Sequence, residues 1–588
     1  MRLLSIAFIV LLTVAAAFSE TNTNPIAREA VVGAEKLIGL DFSDAKIDQA
    51  LPGLKEQLDN FEAMRRFPLS NGVPPALQFN PLPVGFKFET ARKRFKASSP
   101  RNVNLPAKRD DLAFYSVGEL AALLKTRQIS SEELTRFYLD RLKRYGPKLE
   151  GVVTLTESLA LQQASRADRE IAAGKYRGPL HGIPYGAKDL LAVKGIRTTW
   201  GAAPYTNQIF DFDATVIKRL EAAGAVLVAK TTLGELAMGE TWFGGMTRNP
   251  WNLKQGSSGS SAGSVAGTAA GLFAFGIGSE TLGSIVSPCD RCGVTGLRPT
   301  YGRVSRVGAM ALSWSMDKLG PVCRTVEDCA LVFNAIYGPD GRDETTADAP
   351  FVWNADIPLS KLRIAYVKNE FDPPPGPGRG GRGAEAPPVA GAGAPPAAGD
   401  TGRGRGGLTP EEQQRLREAR LKIFNDVLDV YRKAGATLQP VDIPETITKI
   451  AGMIAFVLTT EGAAAFDDLT RSKDINDPSL NTWPNAFRTH RFVPAVEYIR
   501  AQRARTLLIR EMDKFMSQYD VFLSPTGSAT LGVTNLTGHP AVALKAGFID
   551  NRPIELMVTG RLYDEATMLR VALAFERGTD WHLKNPVL

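Results

Sequence analysis

Cysteine and histidine are scarce in this chain. Its 588 residues include only four cysteines and four histidines. Cys289 and Cys292 have the spacing of a zinc knuckle, but no second cysteine pair or histidine pair follows, so we predict no metal site. Four cysteines cannot be the main staple of a chain this long. We expect buried thiols, and a local Cys289–Cys292 or Cys323–Cys329 disulfide stays open.

Long apolar runs are absent beyond the N-terminus. Arg2 precedes an apolar stretch from Leu3 to Ala17, and Ala17-Phe18-Ser19 offers a small-residue cleavage site. This pattern is typical of an export signal over residues 1–19, because the run is short for a bilayer span. We therefore predict an exported protein, periplasmic or secreted, with no stable membrane span after cleavage. Whether the signal is cleaved stays open.

The charge excess is also modest. The net charge is +8 and the apolar content is 44%, which is ordinary for a globular protein with a large core. Four of the positive charges lie in a low-complexity stretch, namely Arg379, Arg382, Arg403 and Arg405. The basic balance therefore favours solubility over a nucleic-acid footprint, and we predict no nucleic-acid partner.

Two segments lack chemical motifs. Residues 20–110 contain short helical patterns, such as 44–58, followed by a Pro-rich basic passage, and we interpret them as an N-terminal helical extension. Residues 373–407 are rich in Pro, Gly, Ala and Arg and have almost nothing to bury. We predict that they form a disordered insertion in the folded domain, which spans 111–588.

The folded domain alternates helix and strand patterns. Ser130 caps a predicted helix that runs through Arg144, and Asp213 opens another that ends at Gly224 before a buried strand over 225–229. After the insertion, Thr409, Pro410 and Glu412 begin a helix that Gly435 closes. Repeated units of this kind predict an α/β fold, a sheet with helices on its faces.

The chemistry is concentrated in two Ser/Gly clusters, GSSGSSAGS from Gly256 and GSETLGSIVSP from Gly278. A serine hydroxyl is inert until a neighbour takes its proton. The four histidines are His181, His490, His539 and His582, and none lies in a Gly-x-Ser-x-Gly elbow. A Ser-His-Asp hydrolase is therefore disfavoured, although it stays open.

A lysine could replace histidine as the base. Lys188 lies in GIPYGAKD, and desolvation would lower its pKa until the neutral amine is available. From this local context alone, we favour a surface lysine paired with Asp189. A penicillin-binding type of Ser-x-x-Lys motif occurs only at Ser43–Lys46, without its partner motifs, so we set it aside.

These blocks together resemble a known family. GIPYGAKD, the first Ser/Gly cluster and GIGSETLGSIVSPCDRCGVTGLRPTYGRVS occur in the order found in the amidase signature family of serine hydrolases. The resemblance covers about 111–588 apart from 373–407 and includes YDVFLSPT and the closing LMVTGRLYDEATMLRVALAFE. It implies a large mixed β-sheet core flanked by helices on both faces.

The resemblance implies the roles of the site residues. Ser284 matches the nucleophile, Lys188 the general base and Ser260 the serine that bridges them, with a cis Gly259–Ser260 peptide bond. Ser261 is expected to support the nucleophile through a hydrogen bond. The oxyanion hole is expected to consist of the backbone N–H groups of Thr281, Leu282, Gly283 and Ser284.

The resemblance also implies the reaction. We expect an amidase that hydrolyses the C–N bond of a small-molecule amide through an acyl-serine intermediate, without cofactor or metal. Leu282 and Val286 depart from the Gly and Arg common in relatives, and Glu280 replaces a common Asp. These departures leave the triad intact but put substrate analogy in doubt. A homodimer, like the amide or ester that is cleaved, stays open.

Two alternatives stay open. One is the glutaminase-like component of a tRNA-dependent amidotransferase, which would share the triad but require cytoplasmic tRNA and partner subunits. An export signal contradicts that reading. The other is a non-catalytic binding protein on the same scaffold, although binding alone would not require Lys188.

Overall fold

The structure of the chain is a computed structural model that describes residues 26–66, 69–98, 100, 102–354, 358–372, 409–478, 480 and 483–588. The predicted export signal and the predicted insertion lie outside these residues. The chain divides into two compact units, Met1–Ser70 and Asn71–Leu588. The unit boundary thus precedes the expected start of the folded domain at 111, so residues 71–110 group with the large unit.

The described part of the first unit consists of two helices. They are α1 (Arg28–Ile38) and α2 (Asp44–Arg65), so the second continues beyond the predicted end at 58. Arg28 pairs with the carboxylates of Asp44 and Asp48, at 3.1 and 2.5 Å. An ion pair between exposed groups contributes little, about 0–1 kcal/mol, so packing between the helices must hold this unit together.

In the large unit, the strands are β1 (Val152–Leu155), β2 (Pro184–Lys188), β3 (Val226–Thr231), β4 (Thr241–Trp242), β5 (Gly245–Met246), β6 (Arg248–Asn249), β7 (Asn252–Gly256), β8 (Phe275–Glu280), β9 (Thr295–Arg298), β10 (Lys318–Cys323), β11 (Ile364–Val367), β12 (Leu438–Val441), β13 (Val521–Pro525), β14 (Ala541–Ile549) and β15 (Arg552–Gly560). Eleven of them form one sheet in the order β1-β3-β2-β8-β10-β9-β14-β15-β13-β11-β12. Strands β4–β5 and β6–β7 form two separate two-stranded ribbons.

The helices of the large unit are α3 (Val117–Lys125), α4 (Ser131–Leu149), α5 (Glu157–Ala172), α6 (Thr215–Ala222), α7 (Ala262–Ala269), α8 (Val286–Cys292), α9 (Val326–Ile336), α10 (Lys368–Phe371), α11 (Pro410–Lys433), α12 (Glu445–Met453), α13 (Val457–Ala465), α14 (Asp467–Arg471), α15 (Trp483–His490), α16 (Ala495–Met516), α17 (Ala529–Thr537) and α18 (Glu565–Arg577).

The large sheet is mixed. Strand β2 is parallel to β3 and β8, whereas β10 is antiparallel to β8 and β9. Every residue of β2, β3, β8, β9, β10 and β13 is buried. Because successive side chains of a strand point to opposite faces, complete burial means that both faces of the central sheet are covered. The predicted α/β class with a large mixed sheet is confirmed.

Helix boundaries follow local capping chemistry. The predicted capping boxes of α4 and α11 are present, with Ser130 and Thr409 as the caps. Helix α6, in contrast, begins at Thr215 rather than at the predicted Asp213. The Asp213 carboxylate accepts the backbone N–H of Lys194, at 2.8 Å, and so does not cap the helix.

One stretch of the described residues, Glu445–Ala465, is long and apolar enough to cross a membrane by length and composition alone. It forms α12 and α13, and half of it is buried within the protein. The Glu461 carboxylate in this stretch accepts hydrogen bonds from the Ser313 and Ser315 hydroxyls, at 2.8 and 2.6 Å. This packing is that of a core helix, which makes the stretch weak support for a membrane span.

The four cysteines are buried free thiols. Burial raises the pKa of the Cys289, Cys292 and Cys323 thiols, which keeps them protonated and unreactive. The expectation of buried thiols is thus confirmed, and neither of the two local disulfides that stayed open is present.

Candidate active site

Lys188 is the last residue of β2, in the middle of the sheet, and its side chain is fully buried. Its Nζ lies 2.8 Å from Ser260 Oγ, 2.9 Å from Ser279 Oγ and 3.1 Å from Ser261 Oγ. Burial lowers the pKa of this amine well below its usual value, and the more distant charges of Asp317 and Glu280 oppose that shift only partly. The local interpretation of Lys188 as a surface lysine is wrong.

Asp189 pairs with a different lysine. Its Oδ1 lies 2.7 Å from Lys230 Nζ, and both side chains are fully buried. Lys230 is in register with Ala187 on the neighbouring strand, so Lys230 and Asp189 share the face of the sheet opposite to Lys188. The carboxylate next in sequence is therefore already neutralised, and within the described residues Lys188 has no ion-pair partner.

This pair gives a stability prediction. Lys230→Met leaves the Asp189 carboxylate buried and unpaired, so we expect the free energy of unfolding to fall by about 3–5 kcal/mol in chemical denaturation. The double variant Asp189→Asn/Lys230→Met removes both charges and should recover most of that loss. Equal destabilisation of the single and double variants would contradict a role for the charge pair.

The Gly259–Ser260 peptide bond is cis, as the resemblance implies. A Cβ atom at Gly259 would lie 1.8 Å from the carbonyl oxygen of Gly239, so only glycine fits there. Ser260 and Ser261 are buried, and α7 begins directly after them. The first Ser/Gly cluster is thus packed backbone, and it places two hydroxyls on Lys188.

Ser284 lies in the turn between β8 and α8 and is 9% exposed. Its carbonyl oxygen accepts the Ser261 N–H at 3.1 Å, so Ser261 supports the Ser284 residue through the backbone. The Ser284 hydroxyl makes no hydrogen bond among the described residues, including to Ser260. The structure therefore joins Lys188 directly to Ser260 and leaves the Ser284 hydroxyl free.

The turn that carries Ser284 presents unused donors. No acceptor among the described residues binds the N–H groups of Thr281, Leu282, Gly283 or Ser284. The next two N–H groups, of Ile285 and Val286, both donate to the Glu280 carboxylate at 2.9 Å. Four consecutive free amides at a sheet edge are suited to hold a negative oxygen.

Glu280 is a missed site residue that fixes this turn. Its carboxylate also accepts from Arg298, at 2.9 Å, and from Asn535, at 2.8 Å, and all three side chains are fully buried. Burial raises the pKa of Glu280, but Arg298 and the Val286 N–H outweigh it and lower the pKa to about 2. Arg298 thus supplies a guanidinium near the turn although Val286 stands where relatives have arginine.

Sequence reasoning also missed Ser279, the third hydroxyl on Lys188. Ser279 is in β8, and Ala187 pairs with Ile277 two residues before it. A signal for Ser279 existed in the second Ser/Gly cluster, but using it requires the register of β8 against β2. That register depends on tertiary packing, which one sequence does not give.

The histidines are engaged elsewhere. His181 accepts the Arg177 N–H, His490 bonds the carbonyl oxygen of Ala486, and His539 bonds the Thr537 hydroxyl. None of the four histidines contacts Ser284 through a hydrogen bond in the described part of the chain. The arrangement therefore favours lysine over histidine as the proton acceptor.

Comparisons with known proteins point to one family. The model of the amidase family matches residues 133–379. The A-type subunit of glutamyl-tRNA(Gln) amidotransferase from Heliobacterium modesticaldum is 33% identical over 520 residues, covering 80% of this chain and 98% of the relative. Its counterpart from Geobacillus stearothermophilus is 34% identical, covering 81% and 99%. The solved peptide amidase of Stenotrophomonas maltophilia is 28% identical, covers 79% of this chain and 96% of that one, and superposes with a TM-score of 0.64.

Proposed function

This chain belongs to the amidase signature family, and on that premise we propose that it cleaves a carboxamide C–N bond through an acyl intermediate on Ser284. The observation that carries the proposal is the buried Lys188 amine, which has no ion-pair partner among the described residues and lies 2.8 Å from Ser260 Oγ. A surface or structural lysine would be charged and paired, and so could not accept a proton at neutral pH.

The protons have a defined route. Ser261 Oγ donates to the Ser279 carbonyl oxygen at 3.0 Å, so it receives a hydrogen from Lys188 rather than giving one. The neutral amine has one lone pair, which is available to the proton of Ser260. Ser260 then takes the proton of Ser284 as the Ser284 oxygen attacks the amide carbon. Catalytic hydrogen bonds often tighten only when substrate binds, which accounts for the open Ser260–Ser284 step.

The charge that forms on the substrate oxygen goes to the free amides of the 281–284 turn. Each well-placed donor in such a hole stabilises the transition state by about 3–4 kcal/mol. Collapse of the tetrahedral intermediate breaks the C–N bond, and the proton held on Lys188 returns through Ser260 to the leaving nitrogen. Water then attacks the acyl-serine and releases a carboxylic acid. The route uses only groups of this chain and the attacking water.

A second candidate is favoured by the similarity to the amidotransferase relatives over nearly their whole length. Such a protein would use the same serine to release ammonia from glutamine for transfer by partner subunits. A purified chain that hydrolyses a panel of carboxamides and esters, but releases no ammonia from glutamine, supports the amidase. Ammonia release from glutamine that rises when partner subunits are added supports the amidotransferase.

We also propose export, on the basis of Arg2, the apolar run from Leu3 to Ala17 and the small-residue site before Glu20. Export separates the two candidates, because an aminoacyl-tRNA substrate is cytoplasmic. N-terminal sequencing of the protein from a native periplasmic or culture fraction should begin at Glu20. Recovery only from the cytoplasm, with Met1 retained, would contradict export and favour the amidotransferase.

The non-catalytic alternative has its own test. A binding protein has no activated hydroxyl, whereas an amidase of this kind should react with a serine-directed fluorophosphonate. Mass spectrometry should then locate one adduct on Ser284. No labelling under conditions in which other serine hydrolases react would favour the binding protein.

A further inference from the structure

The first segment of the large unit, residues 71–98, crosses the surface of the family domain without long regular elements, and we call it the strap. It lies before residue 133, where the match to the family model begins. Its side chains contact several parts of the domain: Gln78 bonds Glu344, Phe88 packs on Tyr563 and Arg92 pairs with Asp348. These contacts are exposed, so they do not by themselves give the strap a function.

One contact of the strap differs from these. Asn71 Oδ1 accepts the N–H of Ala311 at 2.7 Å, and Asn71 Nδ2 donates to the carbonyl oxygen of Ala311 at 2.8 Å. The amide side chain thus binds both backbone groups of one residue, as a paired strand would. Because both bonds are made to backbone, their geometry fixes the path of the chain at Ala311 whatever its side chain.

Ala311 lies in a loop, residues 308–317, that we call the linking loop. Its first part is paired with the chain that follows Lys188: Met310 N–H donates to Leu190 O at 3.0 Å, and Ala192 N–H donates to Gly308 O at 2.9 Å. The linking loop is therefore attached to the end of the strand that delivers the amine.

The second part of the linking loop reaches the turn that carries Ser284. Leu312 and Ser313 donate their N–H groups to Asp317 Oδ2, at 2.8 and 3.0 Å. The other oxygen of Asp317 accepts the Thr281 hydroxyl at 2.6 Å. Thr281 supplies the first free amide of that turn, so an unbroken set of bonds runs from Asn71 through the linking loop to Thr281.

The strap holds the same loop from a second side. The Phe79 ring lies 3.6 Å from the guanidinium carbon of Arg505, and that guanidinium donates to Ser315 Oγ at 2.7 Å and to Ser315 O at 3.0 Å. Arg505 is fully buried, so the ring covers a charge that would otherwise face water. Contacts of the strap therefore flank the part of the loop that binds Asp317.

From this geometry we infer that the strap is part of the support of the active site, and that Asn71 is a positioning residue for the 281–284 turn. The inference rests on the proposed function of that turn as the oxyanion hole. Donors in such a site act through their placement, and a displacement of about 1 Å lowers the rate about a hundredfold. Thr281 and Asp317 touch no anchor of the strap directly, so the effect passes through the backbone of the linking loop.

The test is Asn71→Ala in the full chain, with Arg92→Ala as the matched control from the exposed part of the strap. We expect Asn71→Ala to lower kcat about tenfold while KM changes less than about twofold, because the substrate-binding ground state does not use the oxyanion donors. The affinity for a trifluoromethyl ketone, which forms a tetrahedral oxyanion on Ser284, should fall by about the same factor as kcat. Arg92→Ala should match the wild type in both measurements.

A merely structural role gives a different result. Titration with a fluorophosphonate counts the competent sites, and a lower count with an unchanged kcat per site would overturn the inference. So would a wild-type kcat for Asn71→Ala, or a loss shared by Arg92→Ala. Phe79→Leu keeps an apolar side chain but removes the ring from Arg505, and it should change kcat and inhibitor affinity in the same direction as Asn71→Ala, which tests the inference if Asn71→Ala folds poorly.

Ser284→Ala, assayed in parallel, separates the role of the strap from the proposed function. If Ser284→Ala retains turnover, the proposed function fails, and with it the premise for Asn71. If Ser284→Ala is inactive and Asn71→Ala equals the wild type, only the role of the strap fails.

Discussion

Replacing Ser284 by alanine is expected to abolish both amide hydrolysis and labelling by a fluorophosphonate. The hydroxyl is the atom that would bond to the acyl group, so no other group can form the intermediate in its absence. Loss of a serine nucleophile lowers kcat by about a millionfold in well-studied hydrolases, and we expect a loss of about that order. The measurement is kcat on the best amide found in a substrate panel, with the adduct mapped by mass spectrometry.

Ser257→Ala is the matched control for this variant. Ser257 lies in the neighbouring Ser/Gly cluster, where its hydroxyl donates to the Ser258 carbonyl oxygen at 2.8 Å, and it makes no hydrogen bond to Lys188. Its loss should cost only about 1 kcal/mol of stability and leave turnover near the wild type. Near-normal turnover by Ser284→Ala, or labelling that moves to another serine, would contradict the assignment of the nucleophile.

Local sequence signals predicted the elements more reliably than they predicted the environment of a side chain. The serine and threonine caps of α4 and α11 act on their own first turn, so short-range chemistry decides them. The mixed sheet came from the resemblance and is confirmed, whereas its strand order and register are products of long-range packing. No pattern near Lys188 indicates that the chain places Lys230 beside Asp189.

The exchange of partners at Asp189 shows why local context misled. A lysine beside an aspartate in sequence suggests an ion pair, but neighbours in a strand point to opposite faces of the sheet. The carboxylate therefore meets a lysine from the adjacent strand, and the amine of Lys188 meets three hydroxyls. Recognising this requires the strand assignment of 184–188 together with its pairing to β3, and a single sequence supplies only the first.

The roles of Lys188, Ser260 and Ser284 came from motif resemblance, and the structure brings the first two within hydrogen-bonding distance. The residues that support them were not predicted: Glu280 was taken as a mild substitution, and Asp317 and Asn71 were not considered. Each is separated from its partners by a loop or by hundreds of residues. Such contacts can be found only when the fold is known.

The second large effect is expected at Lys188. Lys188→Met preserves much of the side-chain volume but removes the proton acceptor, so we expect kcat/KM to fall by about 10²- to 10⁴-fold. Ser284 and the free amides remain, so some turnover above the uncatalysed rate should persist. Lys194→Ala, which removes an exposed lysine a few residues further along the chain, should leave kcat/KM unchanged.

The pH dependence should identify the same amine. Its pKa is lowered in the folded protein by burial, and only the neutral form accepts a proton, so kcat/KM of the wild type should rise with pH through that lowered pKa. The residual activity of Lys188→Met should lack this limb. A wild-type rate that instead falls as the pH rises through this range would mean that a charged amine is required.

Stability should follow the same titration, because the unfolded lysine keeps its ordinary pKa of about 10.4. Between the lowered folded pKa and that value, the unfolded chain binds more protons than the folded one, so this residue makes the free energy of unfolding increase with pH. Below the folded pKa both states are protonated, and the lysine adds no slope. In chemical denaturation, Lys188→Met should therefore show a smaller rise of unfolding free energy with pH than the wild type across that window. Identical slopes would mean that the amine stays charged in the fold, and a charged amine cannot begin the proposed transfer from Ser260.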